Sequence, residues 1–128
     1  MQTMLFHAHS GLRYLVLAAA VIALVFVVGQ RYAGGLERAR RISTAAFVGV
    51  LDLQVLLGLV LFFLRPFYGQ LIGHIVMMLL ALVTAHVFSA RLKRTTDAGR
   101  AFVTGLLGVV LTLVFVVGGI LAIGRAVV

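Results

Sequence analysis

Histidines are the side chains of this sequence best suited to chemistry. His7 and His9 lie near its start, and His74 and His86 lie in its second half. Imidazole nitrogens bind metals and carry protons near neutral pH. The sequence contains no cysteine, which excludes thiolate metal sites and iron–sulfur clusters. The histidines therefore indicate a nitrogen-ligated metal cofactor or a path for protons.

Three further polar side chains fall inside apolar segments. Arg13 follows His9 by four residues, which places both on one face of a helix. Asp52 and Gln54 lie in the apolar run "VLDLQVL". Ionisable groups inside a membrane are costly unless they find partners, so each is a functional candidate. We expect Arg13 to bind an acidic group of a cofactor or to pair with Asp52. The alternative for Asp52 is a carboxylate that carries protons or contacts a quinone.

The elements that position these residues follow from the hydrophobicity of the chain. Of its 128 residues, 63% are hydrophobic and 11% are charged, whereas soluble domains are about half apolar and a quarter charged. Four apolar segments reach the roughly 20 residues that a membrane-spanning helix needs. They cover residues 5–29, 43–64, 69–90 and 101–124. Short links make sequential helices antiparallel, so we predict a single transmembrane domain over residues 1–128, an all-α up-down four-helix bundle. No cleavable signal is expected, because a basic start and a cleavage site are missing.

The net charge of +8 is concentrated in two links between the predicted helices. These links carry Arg31, Arg38, Arg40, Arg41, Arg91, Lys93, Arg94 and Arg100. The opposite side of the membrane has only Arg65 and Arg125. The positive-inside rule therefore predicts both basic links in the cytoplasm and both termini outside. Nucleic acid is not an expected partner, since its recognition needs a basic patch on a soluble scaffold.

Depth in the membrane relates two of the histidines. A helix rises about 1.5 Å per residue, so His9 and His74 each lie roughly 6 Å from the same end of the bundle. Glycines near this level leave space for a flat ring: Gly11, Gly58, Gly73, Gly118 and Gly119. Two histidines from two helices are the axial ligands that a haem b needs. We therefore predict a haem iron ligated by His9 and His74. Arg13, Gly11 and Gly73 are the other predicted cofactor-binding residues.

Other interpretations of these residues remain open. Small residues such as Gly69 and Gly73 allow close helix packing without a cofactor, and buried histidines can simply hydrogen-bond in a packing subunit. Ion or solute passage, and binding of a bare metal, use the same residue types. The spacing of His7 and His9 is only weak evidence for a metal site. Residues two apart on a helix point to nearly opposite sides, so these two side chains would not converge on one ion.

His86 is a separate case, because it lies roughly 18 Å from His74 along the same helix. No other helix offers a histidine at its depth, so a second haem is not expected there. We expect His86 to act as a structural hydrogen-bonding group, to contact Asp52 through water, or to relay protons.

Four stretches together resemble a group of small bacterial four-helix membrane proteins labelled cytochrome b-like. These stretches are "HSGLRYLVL", "DLQVLLGLVLFF", "GHIVMMLLALVTAH" and "KRTTDAGR". They cover most of the chain in order, and the start His9-Ser-Gly-Leu-Arg13 followed by an aromatic residue is the most specific of them. In that group the third helix often reads Glu-His-Pro, whereas here Gly73 and Ile75 flank His74.

This resemblance implies electron transfer by a b-type haem, beside a respiratory or photosynthetic complex in the inner membrane of a bacterium. A larger membrane complex or a homo-oligomer is the expected partner, together with the lipid bilayer. A cofactor-free accessory subunit is the second expectation. The third is a small proton or solute transporter that uses Asp52 and His86. The sequence contains no catalytic motif that would indicate an enzyme.

Overall fold

Four long helices form the described part of the chain. The computed structural model describes residues 2–64, 66 and 69–124. The helices are α1 (Gln2–Tyr32), α2 (Glu37–Leu64), α3 (Gln70–Arg94) and α4 (Ala98–Ala122). They pack as a bundle, which confirms the predicted all-α four-helix architecture. All four extend beyond a membrane-length run into polar residues, because helical hydrogen bonding continues where the apolar segment stops.

The links between the helices are short and locally defined. Gly34 and Gly35 follow α1 with φ angles of +72° and +74°, a left-handed conformation that favours glycine and ends the helix. Asp97 caps α4, since its carboxylate accepts a 2.9 Å hydrogen bond from the backbone N–H of Arg100. These two links share one end of the bundle, which we call the basic end. Arg65 and Arg125, predicted for the opposite end, lie outside the described residues.

Packing is closest between α1 and α2 and between α3 and α4, while α2 and α3 contact each other much less. The largest fully buried side chains along the bundle axis are those of Val16, Val27, Phe47, Leu51, Val109 and Thr112. Gly108 allows the tightest approach, because a Cβ added there would overlap the ring carbons of Phe88. The ring of Phe88 on α3 therefore occupies the space that a side chain at position 108 of α4 would fill.

The outside of the bundle is apolar on every helix. All four helices are long and apolar enough to cross a membrane, and only 22% to 39% of each apolar span is buried inside the bundle. Large side chains such as Val25, Leu56, Val83 and Leu107 are more than half exposed. Such a surface requires a hydrocarbon environment, so this is a multi-pass membrane protein in contact with lipid.

Candidate functional site

His9 and His74 meet inside the bundle at the end opposite the basic links, which we call the histidine end. Their ring centres are 6.3 Å apart and their planes cross at 86°. His9 comes from α1 and His74 from α3, two helices that run in the same direction. The structure thus brings together the two residues that the depth estimate placed at one level.

His9 is held by a reciprocal pair of hydrogen bonds with Gln54 of α2. The Nδ1–H of His9 donates to the backbone carbonyl of Gln54 over 3.1 Å. The side-chain Nε2–H of Gln54 donates to the backbone carbonyl of His9 over 2.9 Å. Each side chain therefore satisfies the main chain of the other residue, which fixes α1 against α2. The sequence showed Gln54 only as a neighbour of Asp52, because a lone amide does not reveal a partner 45 positions away.

His74 is held in the same way by α4. Its Nδ1 lies 2.7 Å from the backbone carbonyl oxygen of Gly119, and a carbonyl can only accept. In a neutral ring the hydrogen is then on Nδ1 and the lone pair on Nε2, for both histidines. Metal-ligating histidines commonly donate their other ring N–H to a backbone carbonyl or carboxylate, which fixes tautomer and ring orientation.

Glycines border both rings, but they are not the two that the sequence favoured. A Cβ at Gly58 would lie 2.9 Å from His9 Cε1, and one at Gly119 would lie 3.5 Å from His74 Nδ1. Gly11 has open space around it, and a Cβ at Gly73 would meet Ala122 of α4. The space of the His9 ring therefore depends on Gly58, whereas Gly119 makes room mainly for Met78, whose Cε would lie 2.6 Å from an added Cβ. The orientation of these glycines is not revealed by a single sequence.

A cavity of about 560 Å³ lies between α2 and α3 beside the two rings. Its walls are largely aliphatic and aromatic. They include Phe6, Val55, Leu59, Phe62, Leu71, Ile75 and Leu79. Cofactor and ligand sites usually measure about 300–1,000 Å³, with apolar walls and few polar groups. The loose contact between α2 and α3 opens this space, and the two imidazoles are its ionisable lining groups.

His9 and His74 offer two imidazole ligands, which suit a metal that already carries most of its ligands within a cofactor. Within residues 2–64, 66 and 69–124, no three His, Cys, Asp or Glu side chains cluster as a metal site. A bare zinc ion takes three or four protein ligands, whereas a haem iron needs only one or two from the protein.

Comparisons with known protein families, curated proteins and solved structures found no match. The chemistry of this site therefore follows from its own residues.

Arg13 follows His9 by one helical turn, is not among the residues that line the cavity, and does not pair with Asp52. Its Nη2–H donates to the hydroxyl of Tyr14 over 2.8 Å, and its guanidinium lies 4.8 Å from the centre of the same ring. Its Nε is buried without a hydrogen-bond acceptor, and the Oε1 of Gln54 is buried without a donor. Buried polar atoms are normally satisfied, so one donor and one acceptor near His9 are open to a further polar group.

Asp52 instead pairs with His86, directly rather than through water. His86 Nε2 and Asp52 Oδ1 are 2.7 Å apart, and the side chains are 56% and 44% exposed respectively. The pair joins α2 to α3 on the outer surface of the bundle. Among the described residues, the one other ion pair links Arg41 to Glu37. The predicted Arg13–Asp52 pair is therefore not formed, because the two residues face different neighbours.

Proposed function

We propose that this chain binds a b-type haem between its helices and transfers electrons in the membrane, with His9 and His74 as the two axial ligands. One observation carries the proposal. Two histidines from different helices, both fixed in the ligating tautomer by backbone carbonyls, lie together beside an apolar cavity of about 560 Å³. The resemblance of the sequence to cytochrome b-like proteins points the same way.

The placement of the rings supports this ligand assignment. A haem iron would take one or two ligands from the protein, and two imidazoles from different helices at one level of the bundle would supply them. The centres of His9 and His74 are 6.3 Å apart.

The surrounding residues have defined roles in this proposal. A bound haem supplies one-electron chemistry. The walls formed by residues such as Val55, Leu59 and Ile75 exclude water and lower the local dielectric, which tunes the potential of a redox group. Arg13, one turn from His9, provides a positive charge and an unsatisfied Nε donor for the carboxylates of such a ring. Gly58 keeps the His9 imidazole from being displaced by a neighbouring Cβ.

Placement in the cell is part of the same proposal. The basic end carries most of the arginines and lysines of the chain, so it belongs in the cytoplasm and the histidine end outside. The resemblance places the protein in the inner membrane of a bacterium, where it would exchange electrons with a larger membrane complex. A proton or solute pathway through one chain is less well supported, because Asp52 and His86 lie on its outer surface.

An absorption spectrum of the purified protein tests the proposal, recorded oxidised and then reduced with dithionite after expression with added haem. We expect a sharp Soret band and reduced α and β bands. His9→Ala and His74→Ala should each abolish them. His86→Ala is the matched control and should keep them, because His86 is distant from the cavity and contacts Asp52.

Two results would contradict parts of this proposal. Pigment that survives both His9→Ala and His74→Ala would refute the ligand assignment while leaving haem binding in place. A featureless visible spectrum of folded protein, obtained with haem supplied, would reject haem. The chain would then be a cofactor-free accessory subunit whose histidines fix helix packing.

A further inference from the structure

The Asp52–His86 pair lies where a membrane protein rarely leaves ionisable groups. Asp52 lies near the middle of one apolar span and His86 lies within another, nearer the basic end, yet about half of each side chain is exposed at the surface of the chain. Ionisable groups within a membrane almost always face a protein interior or a water-filled space. A single copy of this chain would instead present the pair to hydrocarbon, so another polar surface is needed to cover it.

The pair also has unused hydrogen-bonding capacity. His86 uses Nε2 and Asp52 uses Oδ1 for their mutual contact. The described part of the chain provides no hydrogen-bond partner for His86 Nδ1 or Asp52 Oδ2. As an imidazolium–carboxylate pair, which is neutral overall, His86 carries a hydrogen on both ring nitrogens, so its free Nδ1–H can donate while the free Oδ2 of Asp52 can accept. A covering surface must therefore offer an acceptor and a donor at the depth of the pair.

The helix faces around the pair can accept another helix closely. On α2, Ala45 and Gly49 precede Asp52 by seven and three residues and share its face, and both are exposed. A Cβ at Gly49 would meet no atom within 4 Å. On α3, Val83 precedes His86 by three residues and Ala90 follows it by four, so both share its face, and both are exposed. Small residues separated by four positions allow transmembrane helices to approach.

We propose that a second copy of this chain packs on this α2–α3 face. A two-fold axis along the membrane normal brings identical patches together and preserves depth. Since Asp52 and His86 bond each other, they lie at one depth, and His86 of one copy can then meet Asp52 of the other. The free Nδ1 and the free Oδ2 are complementary, so the patch can satisfy itself. This inference does not depend on haem.

Cross-linking through engineered cysteines tests the proposal directly, because the chain has no cysteine of its own. Gly49→Cys lies on the proposed interface and has open space, so it should fold. Leu107→Cys is the matched control on α4, where Leu107 is 61% exposed. In liposomes under mild oxidation, we expect disulfide-linked dimers at position 49 and only background at position 107. Light scattering of detergent-solubilised protein should give twice the mass of one chain.

Breaking the pair should weaken the dimer. In the Gly49→Cys background, Asp52→Ala should lower cross-linking about three- to tenfold, as expected for a polar contact between transmembrane helices. The exchange Asp52→His with His86→Asp should restore it, because a two-fold interface keeps the same complementarity after the swap. Circular dichroism confirms that each variant is helical.

Equal cross-linking at positions 49 and 107, with the mass of a single chain, would overturn the proposal. A lipid headgroup or a different protein would then be what covers the pair. An Asp52→Ala dimer as strong as the original would also overturn it, since the polar pair would have no part in the contact.

Discussion

The substitution Gly58→Ala should move the His9 ring while leaving the free energy of unfolding of the bundle almost unchanged. The added Cβ would lie 2.9 Å from His9 Cε1, whereas ordinary contacts begin at 3.4 Å. The ring must therefore move by about 0.5 Å, which exceeds the tolerance of about 0.2 Å on metal–ligand distances. The 3.1 Å hydrogen bond from His9 to the Gln54 carbonyl resists this movement, so the ring tilts out of the ligating position.

The two consequences have different magnitudes. Alanine favours a helix over glycine by about 1 kcal/mol, while losing the His9 hydrogen bond costs about 0.5–1.5 kcal/mol. The free energy of unfolding should therefore change by no more than about 1 kcal/mol. Haem affinity should fall about 10- to 100-fold, the usual effect of disturbing the support of a metal ligand.

Haem titration followed at the Soret band, with thermal unfolding of the same samples, measures both quantities. Gly49→Ala is the matched control, because it adds the same Cβ to the same helix where no atom lies within 4 Å. It should bind haem as the original chain does. If Gly58→Ala also bound haem with unchanged affinity, the geometry would be refuted and His9 would not be an iron ligand held against α2.

Two other substitutions are informative. Gln54→Leu removes the side-chain hydrogen bond to the His9 carbonyl and should lower the free energy of unfolding by about 0.5–1.5 kcal/mol. The pigment should persist, because the backbone carbonyl of residue 54 that holds the His9 ring remains. Loss of the pigment would contradict this anchoring. Gly108→Ala overlaps Phe88 and should destabilise the bundle by about 1–3 kcal/mol, measured by denaturant unfolding in detergent. Gly11→Ala, where an added Cβ would meet no atom within 4 Å, should show no loss, and equal stability of the two variants would refute the tight α3–α4 packing.

The sequence alone determined the four helices and the common depth of His9 and His74. Spanning segments are recognised from length and hydrophobicity, which are local properties of the chain. The rise per residue is fixed by backbone hydrogen bonding at about 1.5 Å, so counting residues places side chains along the membrane normal. For this reason His9 and His74 were correctly placed at one level, although they are far apart in the chain.

Rotation of each helix about its own axis was decided only by the tertiary structure. In soluble proteins a polar stripe shows which side faces outward, but lipid-facing and buried residues here are both apolar. The direction of Asp52 therefore could not be derived, and it pairs with His86 at the surface rather than with Arg13. The same uncertainty explains why Gly58 and Gly119, rather than Gly11 and Gly73, border the histidine rings. Helix depth is a property of one segment, whereas helix orientation depends on how all four segments pack together.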